Sequence, residues 1–129
     1  MSSKKDIKIN IISFGYKYGM VENANFVQDV RFLPNPYYDE ALKLKSGLDL
    51  SVREYVKESH KACDYILKLK QFSEMYILHS LSAQKENITV AIGCTGGRHR
   101  SVTVAIELFD YLKLKGYNVT LFHRDIEKD

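Results

Sequence analysis

Long apolar runs, paired cysteines, metal-ligand spacings and nucleotide loops are all missing from this chain, and each absence removes a class of function. No apolar stretch is long enough to span a bilayer. The N-terminal run Met1-Ser2-Ser3-Lys4-Lys5-Asp6 is polar and has no signal-peptide core. Both features read as a soluble, cytoplasmic protein with no membrane partner. Two cysteines, Cys63 and Cys94, are too few for a disulfide framework and suit free thiols in a reducing compartment. The four histidines, His60, His79, His99 and His123, have no zinc spacing with either cysteine, so no metal is expected. A net charge of +3 does not by itself mark a nucleic-acid binder, though it leaves room for a local basic patch. There is no internal repeat and no low-complexity or Pro/Gly/Ser linker.

What is present suits one α/β domain. The 129 residues, 45% of them hydrophobic, can fill a single core, and residues 1–129 are read as one domain. Ile7 to Ile12 alternates and then turns fully apolar, as a strand does. Phe26 to Leu33 is a second strand candidate, stopped by the only two prolines, Pro34 and Pro36. Period-two geometry puts Asp29 and Arg31 on one face. Ser51 and Glu54 have the form of a capping box, with Leu50 as its staple residue. Val52, Tyr55, Val56, Ser59, Cys63 and Ile66 follow at helical spacing, and the pattern runs to about Leu81 with room for a break. Asn87 to Gly93 is nearly continuous in apolar residues, the signature of a strand covered on both faces. A helix begins near Ser101 with Val102, Ala105, Ile106, Phe109 and Leu112 on its stripe. Gly116 terminates it, and Tyr117 to Phe122 is a last strand. This order predicts a layered, sandwich-like domain with a mainly parallel sheet and a strand–phosphate loop–helix unit.

The chemistry concentrates in Gly93-Cys94-Thr95-Gly96-Gly97-Arg98-His99-Arg100-Ser101. In open parallel sheets ligands bind beyond the carboxyl ends of strands, and this run occupies that place. Gly96 and Gly97 let the backbone turn and present amides, and the next helix starts with unpaired N–H groups. Arg100 can hold phosphate oxygens through two parallel bonds, with Arg98 and His99 beside it and hydroxyls from Thr95 and Ser101. A phosphate or sulfate ion is expected at the amides of Thr95 to Ser101. The alternative is a glycine turn with exposed arginines that bind nothing in particular.

Cys94, five intervening residues, Arg100 and Ser101 also match the loop of cysteine-dependent phosphatases. There a thiolate attacks phosphorus while the arginine holds the phosphoryl oxygens. Against that, the favoured reading of Cys94 is a small buried residue at a strand end. A phosphatase also wants a carboxylic acid, for which Asp29 and Asp125 are candidates that nothing in the sequence separates. Lys17, Arg31, Arg98, Arg100, His123 and Arg124 make one basic face or scattered surface charge. The nine tyrosines stack RNA bases or serve as core residues with a wet hydroxyl.

Three runs in one order carry a family resemblance. They are Ser13-Phe14-Gly15-Tyr16-Lys17, Asp29-Val30-Arg31-Phe32-Leu33-Pro34-Asn35-Pro36 and Val90 to Val102, with Gly47-Leu48-Asp49 between the last two. Over nearly its whole length the chain resembles the C-terminal domain of the RapZ family, the RNase adapter proteins. The resemblance implies a fold similar to a sugar-phosphate subdomain of phosphofructokinase. It also implies sensing of glucosamine-6-phosphate or another phosphorylated metabolite, and contact with a small regulatory RNA and a ribonuclease. It places Cys94, Thr95, Gly96, Gly97, His99, Arg100 and Ser101 in the ligand pocket, with Asp29, Arg31 and Asn35 close by. Lys17, Arg98, His123 and Arg124 are the RNA-contact candidates, and a homo-oligomer is allowed. No cofactor is expected. The chain has no G-x-x-x-x-G-K-[ST] run, so the family's ATP or GTP binding is not implied. Tyr18 stands where the family has a histidine, and the tail from His123 to Asp129 alternates in sign rather than being basic. The leading reading is a non-enzymatic phosphate-ligand domain.

Overall fold

The computed structural model describes residues 3–128, so Met1, Ser2 and Asp129, the ends of the two polar termini discussed above, lie outside the described residues. Four strands and three helices form the domain: β1 (Lys8–Gly15), β2 (Phe26–Asp29), α1 (Leu50–Val56), α2 (His60–Ser82), β3 (Asn87–Cys94), α3 (Arg100–Leu114) and β4 (Asn118–His123). The strands run in the order β2-β3-β1-β4 and every pairing is parallel, as the alternation of strand and helix predicts. The register sets Gly15 of β1 beside Cys94 of β3, so two strand ends meet at the loop that follows.

One face of the sheet takes all the packing of the helices. Ile9, Ile11, Ile88, Val90 and Ile92 join Ile66, Ile77, Val104 and Leu108 in a single core. Burying each such side chain is worth about 1.5–3 kcal/mol. The other face is less covered: Asn10 and Thr89 are half-buried and Phe122 is 60% exposed. The near-continuous apolar run of β3 therefore has a different cause from a second helical layer. At its carboxyl end Gly93 lies under the rings of Phe14 and Tyr16, which themselves meet edge to face. Among the described residues no helix is long and apolar enough to cross a membrane.

Three local expectations change. The second strand stops at Asp29, because the Asp29 carboxylate accepts the Arg31 amide and turns the chain before Pro34 is reached. The Ser51–Glu54 capping box does not form. Helix α1 starts two residues earlier, with Asp49 as its N-cap, and the Asp49 carboxylate accepts the Ser46 amide instead. The long helical pattern breaks after Val56, and Ser59 caps a new helix by accepting the Ala62 amide. That break turns Cys63 outward, where its thiol donates to the Lys57 carbonyl.

Candidate functional site

The loop between β3 and α3 is shaped by contact with the end of β1. Gly97 adopts φ +77°, and a Cβ there would lie 2.6 Å from the Gly15 nitrogen. A Cβ on Gly15 would lie 2.5 Å from the Gly96 carbonyl carbon. The two backbones touch, and only residues without side chains allow it. The Lys17 amide donates to the Thr95 carbonyl and the Gly47 amide to the Arg98 carbonyl, fixing the loop from both sides. Its own amides stay open. Among the described residues none accepts a hydrogen bond from the amides of Gly96 to Val102, and His99, the N-cap of α3, offers no side-chain cap.

Arg100 opens α3 and is only 6% exposed. Its guanidinium donates to the carbonyls of Arg31 (2.6 Å) and Leu33 (3.4 Å) and to the Thr95 hydroxyl (3.4 Å). It makes no ion pair among the described residues. Asp29 feels its charge, but that carboxylate is already bonded to Arg31, whose hydrogen bonds hold its pKa below the usual value. Cys94 is buried and its thiol donates to the Ser101 hydroxyl at 3.2 Å. The Arg98 guanidinium donates to the Leu44 carbonyl, while its buried Nε–H has no partner.

A cleft of about 520 Å³ opens in front of this loop. Of the sequence-predicted ligand residues, Cys94, Thr95, Gly96, His99, Arg100 and Asn35 line it. Arg98 and Lys17, expected at an RNA surface, line it as well. Gly97 and Ser101 are buried behind it. Asp29 and Arg31 pair with each other outside it, with the Arg31 guanidinium 4.0 Å from the centre of the Tyr16 ring. The His99 ring is tied to the backbone. Its Nε2–H donates to the Lys45 carbonyl at 2.6 Å, and burial lowers its pKa, so the neutral ring is the favoured form. The sequence reading missed Tyr37, Tyr38, Lys43 and Leu44, which complete the lining. The run Pro36-Tyr37-Tyr38 was the one available signal, since a proline opening a short turn leaves adjacent aromatics unburied.

His123 and Arg124 turn inward. His123 Nδ1 is 2.6 Å from the Ser13 hydroxyl, and Arg124 binds the Gly19 and Met20 carbonyls and Asp125. Asp125 is fully buried. Burial pushes its carboxyl up, but bonds from Arg124, the Gly15 amide and Lys128 overcome this and bring it down to about 2. Through Gly15 it sits under the loop. A carboxyl depressed by folding stabilises the native state above its unfolded pKa. Stability should therefore be level above about pH 4 and fall as pH drops toward the folded value. Urea midpoints measured across that window should show less of this fall in Asp125→Asn. An unchanged acid limb in the variant would sink the assignment.

Comparisons with known proteins bear on the family. A family model described as the RapZ C-terminal domain matches residues 7–127. A protein named nucleotide-binding protein from Caldicellulosiruptor saccharolyticus is 46% identical over 127 residues, covering 98% of this chain and 43% of its own length. One of the same name from Caldicellulosiruptor bescii is 47% identical over 127 residues, covering 98% and 44%. Another from Limosilactobacillus reuteri is 46% identical over 123 residues, covering 95% and 42%. The chain thus spans less than half the length of the curated relatives it matches.

Proposed function

We propose that this chain, which belongs to the RapZ C-terminal domain family, binds a small phosphorylated ligand in the cleft beyond β3 and acts as a sensing domain rather than an enzyme. The observation that carries this reading is Arg100. A buried guanidinium without a carboxylate partner is costly, and an anion held beside it supplies the missing charge. The open amides at the start of α3 and the positive end of its dipole point the same way. Glucosamine-6-phosphate, the ligand implied by the family resemblance, is one such phosphate ester. The relatives named for nucleotide binding are more than twice as long, so a nucleotide site and an adapter role toward RNA or a ribonuclease are proposals for a whole protein. For the RNA role, Lys17 and Arg98 on the cleft give some support, while His123 and Arg124 are held by internal partners.

The second reading, a phosphatase, rests on Cys94 beside Ser101 and Arg100. It lacks an acid: among the described residues no carboxylate lines the cleft, and both Asp29 and Asp125 are taken up by cations. One pair of measurements tests both readings. Inorganic phosphate should raise the melting temperature progressively with the logarithm of its concentration, the added stability reaching about 2.7 kcal/mol at a hundred times Kd. Hydrolysis of p-nitrophenyl phosphate should be no faster with wild type than with Cys94→Ser. No thermal shift with phosphate or any phosphate ester would end the first reading, and turnover lost in the serine variant would establish the second.

A further inference from the structure

Two adjacent glycines leave the loop beyond β3 free to take many shapes, so contacts from outside must choose one. Its floor is the turn that follows β4. The Asp125 carboxylate accepts the Gly15 amide at 2.7 Å, and Gly15 is the residue whose backbone touches Gly96 and Gly97. Asp125 also meets the loop directly, since a Cβ on Gly97 would lie 3.0 Å from the Asp125 Cβ. Its neighbour Arg124 donates to the Gly19 carbonyl at 2.7 Å and to the Met20 carbonyl at 3.3 Å. Between these two anchors lies Lys17, whose amide holds the Thr95 carbonyl at 3.2 Å. Asp125 and Arg124 thus frame both ends of the stretch that fixes the loop. Among the described residues Asp125 is the one buried carboxylate. A bare carboxylate beneath an anion site would oppose the anion. Here Arg124 Nε and Nη2 and Lys128 Nζ donate to it, so it holds an amide with its own charge matched.

We propose that Asp125 is a positioning residue for the phosphate site: through Gly15 it holds the Gly96 and Gly97 amides where an anion meets them. The inference rests on reading the Thr95–Ser101 loop as that site. Asp125 does not line the cleft and acts only through the backbone it supports. Donors that share one ligand must be held within about 0.5 Å of their productive places. Without the carboxylate the Gly15 amide is buried and unpaired. Any shift of Gly15 toward a new partner carries Gly96 and Gly97 with it, because the backbones are in contact. Asparagine keeps an oxygen in the same place. The site therefore needs the acceptor at position 125 and not its charge.

Calorimetric titration with inorganic phosphate tests this on wild type, Asp125→Asn, Asp125→Leu and Asp125→Ala, each shown to be folded. Leucine keeps the branched shape without an acceptor, and alanine removes both. These two should weaken phosphate binding about tenfold, the lower end of what supporting partners of a site cost. Asp125→Asn should stay within about threefold of wild type, since the Gly15 amide keeps a partner. Ser59→Ala, which loses the α2 cap far from the loop, should destabilise the fold and leave the phosphate Kd within about twofold. Wild type labelled with nitrogen-15 gives a reading that needs no variant: phosphate should move the Gly15 amide resonance together with those of Gly96 and Gly97. Should neither the leucine nor the alanine variant fold, that resonance decides. Wild-type affinity in the leucine and alanine variants, or a Gly15 resonance unmoved at phosphate saturation, would overturn the inference and leave the phosphate site standing. So would an asparagine variant as weak as the leucine one, because charge would then be what matters. If wild type binds no phosphate, the phosphate-site reading falls and takes this inference with it.

Discussion

Arg100→Ala should abolish phosphate binding and lower stability together. The binding loss expected is about 2–4 kcal/mol, the scale for truncating one side of an enclosed charge-assisted contact. Stability should fall by about 1–3 kcal/mol, because the carbonyls of Arg31 and Leu33 lose the guanidinium donor that reaches them from 69 and 67 residues away. The conservative variant separates the two effects. Arg100→Lys keeps the charge and loses the fork, so it should recover part of the phosphate affinity and little of the bridge to the two carbonyls. Calorimetry with inorganic phosphate and urea unfolding read the two quantities independently. A Kd for Arg100→Ala within twofold of wild type would show that the buried guanidinium is structural only.

The three glycines around the loop should respond very differently to alanine. At Gly15 a Cβ meets the backbone of Gly96 at 2.5 and 2.6 Å and of Gly97 at 2.8 Å, and backbone cannot swing aside. Gly15→Ala should cost about 3 kcal/mol, the upper range for an overpacked site, and should push the loop out of register with α3. Gly97→Ala combines a 2.6 Å approach to the Gly15 nitrogen with a φ of +77°. The left-handed conformation alone adds about 1–2 kcal/mol. Gly96 has nothing within 4 Å and no positive φ, so Gly96→Ala should stay within about 0.5 kcal/mol of wild type. Urea midpoints for the three variants give the ranking. Equal costs at Gly15 and Gly96 would mean that β1 and the loop do not depend on each other as described.

The dependence of that loop on β1 marks where sequence reasoning ran out. Asn87 to Gly93 as a strand, the helix beginning near Ser101 and the glycine turn between them were legible because each is a local pattern. Hydrophobic periodicity, turn chemistry and helix termini act within a few residues. The same locality explains the misplaced cap. Ser51 and Glu54 had the right spacing, but Asp49 had a competing partner in the Ser46 amide and the chain turned there first. Strand β2 ended early for a similar reason, since the side chain of Asp29 was free to take the Arg31 amide.

Taken by itself, the sequence determined the α/β order of elements, the parallel sheet, and the place of the glycine turn between β3 and α3. Neighbouring residues along the chain suffice for those. The tertiary structure alone decided which residues form the cleft and which are absorbed by the scaffold. It brought Tyr37, Tyr38 and Lys43 across to the loop and turned Arg124 inward onto the Gly19 and Met20 carbonyls. It set Asp125 under Gly15, a contact 110 residues apart in the chain. Such contacts have no local signal, because a buried charge or a stacked ring is selected by whatever the fold places against it. Whether Arg100 carries a free charge or a satisfied one depends on the carboxylates within reach, and sequence distance does not report that.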